Sequence, residues 1–142
     1  MEHRGGKAGA VIPESDEMIR YIGKIGRKEI NELYGNSRAG LLLYQPAQNH
    51  FEAQPIKMFE YMAAGLPVIA SGFPLWRRII KREKCGLCAD CTKPGEVKKA
   101  ILFLLNNLEE AQQMGRNGRK AVECYYNWGK EQEKLLELYR KI

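Results

Sequence analysis

The sequence contains no run of eighteen apolar residues, which excludes a helix able to cross a bilayer core. Its opening stretch, Met1 to Lys7, lacks the apolar segment of a secretory signal. Histidine is scarce: His3 and His50 are the only two, and neither has an evident partner for proton relay. The four cysteines, without a secretory signal, point to reduced thiols in a cytosolic protein. Aromatics make up 9% of the chain and do not interleave with basic residues, which argues against a nucleic-acid surface. Internal repeats and low-complexity tracts are absent as well. What is present is the composition of one ordinary domain with a real core: 142 residues, 44% hydrophobic and 28% charged. The net charge of +6 favours anionic partners, whether nucleotides, anionic lipid surfaces or nucleic acid, and does not choose among them.

Residues 1–17 are rich in glycine and charge without clear periodicity and read as a leader or truncated segment, leaving 18–142 as the domain. Met18 to Ile22 reads as a short strand ending at Gly23. Arg27 to Tyr34 reads as a helix, with Ile30, Leu33 and Tyr34 at helical spacing and Gly35-Asn36 as its stop. Ala39 to Tyr44 is an apolar run consistent with a strand buried on both faces. A loop Gln45 to Gln54, a helix Pro55 to Ala64 and a strand Leu66 to Ala70 follow. Pro74 begins a helix running to about Lys84, and Gly86 to Ala89 reads as another strand. Then come helices Pro94 to Asn107, Leu108 to Met114, Gly118 to Tyr125 and Gly129 to Lys141, the last with Leu135, Leu136, Leu138 and Tyr139 on its apolar side. Short apolar strands alternating with helices imply right-handed crossovers. The fold class is α/β, a Rossmann-like parallel sheet with helices on both faces and extra C-terminal helices. Ligands of such sheets bind beyond the carboxyl ends of the strands, which is where the loop Gln45 to Gln54 falls.

Two carboxylates eight positions apart, Glu52 and Glu60, bracket the start of one helix. Pro55 suits a first helical turn, Gly65 suits the left-handed position past a helix end, and Pro67 prevents continuation. Glu52 therefore lies in the loop and Glu60 within the helix. The helix N-terminus between them is a natural site for an anion such as a diphosphate. Acceptors on either side of an anion site suit a ligand carrying hydroxyls and phosphate, as nucleotide sugars do. Ile56, Met58, Phe59, Met62 and Ala63 leave a narrow polar face shared by Lys57 and Glu60. A surface lysine–glutamate pair, contributing roughly a few tenths of a kcal/mol, accounts for that spacing equally well. Against it, a helix otherwise this apolar has little reason to keep both charges unless its polar face meets a ligand.

Cys85-Gly-Leu-Cys88-Ala-Asp-Cys91 has the spacing of a metal knuckle, yet its fourth ligand would have to be Cys124, His50 or His3, all distant in sequence. A strand over 86–89 would also send Cys85 and Cys88 to opposite faces, so reduced, partly buried thiols are expected instead. Trp76 to Lys84 is a basic amphipathic helix, either a solvated face or a contact for an anionic membrane. His50 reads as a loop residue or packing group rather than a catalytic base.

The segment Gln48 to Ser71 resembles the donor-binding half of retaining glycosyltransferases with the GT-B fold, specifically their large family 4 group. Glu52-x7-Glu60, followed by Tyr61-Met62-Ala63-Ala64-Gly65-Leu66-Pro67-Val68-Ile69-Ala70, is similar to their E-x7-E motif and the strand after it. The variant Pro55-Ile56-Lys57-Met58-Phe59-Glu60 is like that of many bacterial polysaccharide-assembly transferases. Further likeness lies in Tyr21-Ile22-Gly23 with Glu29-Ile30 and Leu33-Tyr34, in Met114-Gly115-Arg116-Asn117-Gly118-Arg119, and in Tyr126-Asn127-Trp128, so that it covers about residues 18 to 142.

The resemblance implies that Glu60 accepts hydrogen bonds from the donor's ribose hydroxyls. It assigns Glu52 the catalytic-site role of contacting hydroxyls of the transferred sugar. The backbone N–H groups of Phe51, Ala53 and Gln54 would hold the diphosphate, and Ile25, within Gly23 to Gly26, would contact the base. Lys57 is added from helix geometry, since a cation one turn before Glu60 can reach a phosphate oxygen. The donor would be a UDP-, GDP- or similar nucleotide sugar and the acceptor a saccharide or lipid-linked molecule. No cofactor and no metal are implied, and the sequence has no Asp-x-Asp motif. The location implied is cytoplasmic, with peripheral contact at the inner face of the membrane. The family's diphosphate-gripping Arg and Lys would precede residue 18, and Arg4 and Lys7 do not sit in a recognisable version of that segment. The N-terminal acceptor domain has no counterpart. The chain is therefore expected to be a C-terminal part of the enzyme, inactive alone. A nucleotide-sugar-binding module without catalysis, or a sugar epimerase of the same fold, stands as the alternative.

Overall fold

The computed structural model describes residues 19–51 and 55–141, with the side chains of Asn49 and His50 left aside. Its elements in chain order are α1 (Arg27–Gly35), β1 (Gly40–Leu42), α2 (Gln48–Phe51), α3 (Ile56–Ala63), β2 (Val68–Ser71), α4 (Pro74–Glu83), β3 (Gly86–Ala89), α5 (Pro94–Asn106), α6 (Leu108–Cys124) and α7 (Trp128–Arg140). The three strands form one parallel sheet in the order β1-β2-β3, with Val68 opposite Gly40 on one side and Gly86 on the other. Parallel neighbours need crossover connections, and α3 and α4 supply them.

Strand β2 is buried along its whole length, and its period-2 alternation divides the core into two layers. Val68 and Ala70 pack with Met58 and Met62 of α3, Trp76, Ile79 and Ile80 of α4, and Ala121 of α6. Ile69 faces the other way, onto Ala100 and Leu104 of α5 and Ala111 of α6. Helices thus cover both faces, as a parallel sheet requires. Gly65 takes up a positive φ of 73° just beyond α3, the conformation the helix end needs and the reason for glycine there. Pro74 and Pro94 each open a helix.

Five local expectations are corrected, the first being the loop Gln45 to Gln54, which carries the short helix α2. Ile19 to Ile22 form no strand, and Met18 lies outside the described residues. Their side chains are exposed, Tyr21 at 77%, so β-propensity has no burial to act on, and they pair with no strand among the described residues. The apolar run Ala39 to Tyr44 shortens to Gly40–Leu42, and it is an edge strand. Gly40 and Leu42 are buried whereas Leu41 is exposed, because it shares the face of Ile69, where α5 packs on β2 and β3. The segments Leu108 to Met114 and Gly118 to Tyr125 are one helix, α6. Cys85 and Cys88 do not go to opposite faces: Cys85 precedes β3, and both pack in the layer with Met62 and Trp76. The boundary proposed at 1–17 lies outside the described residues.

Candidate functional site

The carboxyl ends of the three strands are fastened together by polar contacts. Ser71, the last residue of β2 and almost fully buried, donates from Oγ to the Tyr44 carbonyl at 2.9 Å and accepts from the Tyr44 N–H at 2.8 Å. The chain leaving β1 is therefore clamped to the end of β2. Cys91, just past β3, donates its thiol to the same carbonyl at 2.9 Å. Two edge-on ring contacts extend the clamp: Tyr44 on Trp76, with centroids 5.6 Å apart, and Phe51 on Phe73 at 5.2 Å. These strand exits line a cleft of about 280 Å³ that includes Pro46, Phe51, Gly72, Arg77, Asp90 and Glu96.

Arg77 brings a positive charge to that cleft, beside the carboxylates of Asp90 and Glu96. A Cβ on Gly72 would lie 2.5 Å from the Arg77 Nη2, so the bare glycine lets the guanidinium lie across the exit of β2. Burial pushes the nearby Cys88 thiol up, and Arg77 opposes that shift. Asp90 is held below the usual carboxylate range by hydrogen bonds from the Thr92 hydroxyl and N–H. The sequence pattern treated Arg77 only as one member of a basic helix face. Its position in the first turn after a central strand's carboxyl end was the signal for a place in the cleft.

Glu60 lies in the second turn of α3. Its Oε2 accepts from Lys57 Nζ at 2.8 Å and from the Tyr34 hydroxyl at 3.0 Å. Tyr34 comes from the last turn of α1, and its ring stands edge-on against Tyr61 with centroids 5.6 Å apart. The Lys57 bond is the main cause holding the Glu60 carboxyl below its ordinary value. Partial burial opposes it, and Tyr34 and the charge of Arg27 add to it. Lys57 is raised in turn, chiefly by Glu60. Tyr34 is raised by burial first and by Glu60 second. As it stands, then, Lys57 is committed to an ion pair. With the lysine side chain 49% exposed, that pair contributes about 0.5 kcal/mol at most.

The expected site residues divide into three groups. Glu60 and Lys57 are in contact on α3, and Ile25, half-buried between Gly23 and the α1 N-cap Gly26, lies two residues before Arg27. Phe51 ends α2 at the strand-exit cleft, which Glu60, Lys57 and Ile25 do not line. Glu52, Ala53 and Gln54 lie outside the described residues, in the link between the two groups. Pro55 immediately after them is buried and caps α3 through its extended backbone, and among the described residues no side chain caps that helix start. Tyr34 is the contact to Glu60 that the sequence reading missed: 26 residues separate the two, and Tyr34 stood out only for its helical spacing and as part of the Leu33-Tyr34 likeness.

Among the described residues, no group of three or more His, Cys, Asp or Glu side chains is arranged to hold a metal ion, and no helix is long and apolar enough to cross a membrane. On α4 the residues Trp76, Ile79 and Ile80 are buried, and Arg77, Arg78, Lys81 and Arg82 are exposed. Arg82 bonds the Tyr126 hydroxyl and pairs with Glu83 at 2.7 Å, so part of this basic face is already engaged within the chain.

A family model for glycosyl transferases group 1 matches residues 14–121. Spore coat protein SA of Bacillus subtilis is 32% identical over 84 residues, which are 58% of this chain and 22% of that protein. An uncharacterized glycosyltransferase of Methanocaldococcus jannaschii is 28% identical over 124 residues, 87% of this chain and 34% of that protein. Among solved structures, sucrose-phosphate synthase from Thermosynechococcus elongatus superposes with a TM-score of 0.69 at 25% identity, over 86% of this chain and 29% of that one. The chain therefore spans 22% to 34% of the length of these proteins.

Proposed function

This chain belongs to the group 1 glycosyl transferases, and from that membership we propose that it is the donor-binding domain of a larger glycosyltransferase. The donor is a nucleotide diphosphate sugar, carrying UDP, GDP or a similar nucleotide. Glu60 accepts the ribose hydroxyls, and Ile25 contacts the base. The start of α3 and the N–H groups of Phe51, Ala53 and Gln54 hold the diphosphate, where the helix dipole favours negative charge. Glu52 contacts hydroxyls of the transferred sugar. On binding, Lys57 turns from Glu60 to a phosphate oxygen and helps stabilise the departing diphosphate. The whole protein transfers the sugar with retention to a saccharide or lipid-linked acceptor in bacterial-type polysaccharide, capsule or lipopolysaccharide assembly. Acceptor binding belongs to the rest of that protein, and this chain alone does not turn over.

The observation that carries the reading is the state of Glu60. An ionised carboxylate is held by two donors on one oxygen, in α3, the second helix after β1. A ligand with paired hydroxyls and a diphosphate uses both ends of such an arrangement. Calorimetric titration with UDP, GDP and their sugars is expected to show saturable binding. Glu60→Ala, with an unchanged circular dichroism spectrum, is expected to weaken it about tenfold or more, the loss associated with a hydrogen bond to a charged group. Failure of every nucleoside diphosphate to saturate the chain would end the proposal, and sugar transfer by the isolated chain would overturn the division of labour.

A further inference from the structure

We infer that Tyr34 is a positioning residue for the donor: its hydroxyl keeps the Glu60 carboxylate oriented while Lys57 is released to the diphosphate. This rests on the ribose-binding reading of Glu60. Both donors converge on the same oxygen, Oε2, and Oε1 accepts no hydrogen bond from any described residue. An ionised carboxylate offers about four lone-pair positions, so anchoring one oxygen fixes the plane of the group and leaves the other free to accept hydroxyls.

The two donors differ in how firmly they are held. Lys57 reaches Glu60 with a flexible four-carbon stem, is half exposed, and sits three residues away on the same helix. Tyr34 reaches it from another helix with a rigid ring, part-buried and edge-on against Tyr61 at an interplanar angle of 79°. The last turn of α1 that carries Tyr34 is closed by its own side-chain caps. The Asn36 side chain bonds the Glu32 carbonyl at 3.0 Å, and the Ser37 hydroxyl bonds the Leu33 carbonyl at 2.7 Å. Lysine is thus the donor that can leave, and tyrosine the donor that stays. With Lys57 on a phosphate, Tyr34 and the charge of Arg27 remain to keep Glu60 ionised.

The substitution Tyr34→Phe removes the hydroxyl and keeps the ring contact with Tyr61. Titrations of UDP and GDP into the wild-type chain, Tyr34→Phe, Glu60→Gln and the double variant, each between pH 4 and pH 8, test the assignment. The expected result for Tyr34→Phe at neutral pH is binding weaker by about three- to tenfold. Its binding is also expected to fail at a higher pH on acidification, because the hydroxyl bond lowers the Glu60 carboxyl. In the Glu60→Gln background the same substitution adds no further loss, and a 2′,3′-dideoxynucleoside diphosphate does not distinguish Tyr34→Phe from wild type. If Glu60→Gln weakens binding while Tyr34→Phe changes neither the affinity nor the acid limb, Tyr34 is only a link between α1 and α3. The inference then falls and the ribose reading stands. If the wild-type chain binds no nucleoside diphosphate, or Glu60→Gln has no effect, the ribose reading falls and takes this inference with it.

Discussion

Cys85 has no exposed surface, and a methyl group built on Gly118 would already touch its Cβ at 3.2 Å. Burial pushes its thiol from the ordinary 9.0 up to about 12. The folded chain therefore holds this proton more tightly than the unfolded chain does. The stability that follows is fully present below about pH 9 and is lost as pH rises toward 12. Urea unfolding of wild type and Cys85→Ala at pH 8 and pH 10.5 should show the stability gap between them narrowing at the higher pH. A constant gap would contradict the assignment. Iodoacetamide at pH 8, read by mass spectrometry, should modify the exposed Cys124 in the native chain and Cys85 only after unfolding. At this scale the sequence was legible wherever chemistry follows from local spacing. Lys57 and Glu60 three apart on a helix meet as expected. The third member of that cluster was not legible, because Tyr34 reaches Glu60 from another helix, 26 residues away.

Helix α6 shows why glycines misled the reading of elements. Gly115 and Gly118 look like interruptions, yet both lie within 17 continuous helical residues. They are there for close approach. A Cβ on Gly115 would fall 2.0 Å from the carbonyl oxygen of Gly65, and one on Gly118 would crowd Met62 and Cys85. Helix propensity alone would favour alanine by about 1 kcal/mol, but a backbone atom at that distance cannot give way and overpacking costs about 1–3 kcal/mol. Gly115→Ala is therefore expected to lower Tm by roughly 5 °C. Gly95→Ala, in the first turn of α5 with open space around it, should raise Tm slightly. Equal effects of the two substitutions in a thermal melt would show that packing is not what selects glycine at 115. The same limit explains the strands. β2 was legible because an apolar run between two helices has to be buried. The stretch from Ile19 to Ile22 has strand-like residues but stays exposed and unpaired, and a single sequence does not show which strands have neighbours.

In the molecule as a whole, stability is concentrated on the two layers around β2 and fades toward the C-terminal end. Both core layers include residues of α6, Ala111 in one and Ala121 in the other, so that helix fastens the sheet from end to end. No residue of α7 is buried, and Trp128 and Tyr139 are 75% and 68% exposed. What holds α7 is local: the Asn127 side chain capping Lys130 N–H at 3.1 Å, and ion pairs at i,i+3 between Lys130 and Glu133 and between Glu131 and Lys134. Such exposed pairs contribute roughly 0.2–0.5 kcal/mol each, and an isolated helix of this length is marginal in water. The periodicity of Leu135, Leu136, Leu138 and Tyr139 correctly signalled a helix. It could not signal burial, because a repeat within an element says nothing about what packs against it. In this chain α7 is therefore expected to open independently of the core. Amides of α7 should exchange with deuterium within seconds to minutes at neutral pH, whereas those of β2 and the middle of α6 exchange only on global unfolding. A chain shortened to end at Asn127 keeps Trp76, which is 2% exposed, as its only tryptophan, and its fluorescence should report the same core transition within a few degrees. Protection of α7 equal to that of β2, or collapse of the Trp76 transition in the shortened chain, would place the last helix inside the cooperative unit rather than on its margin.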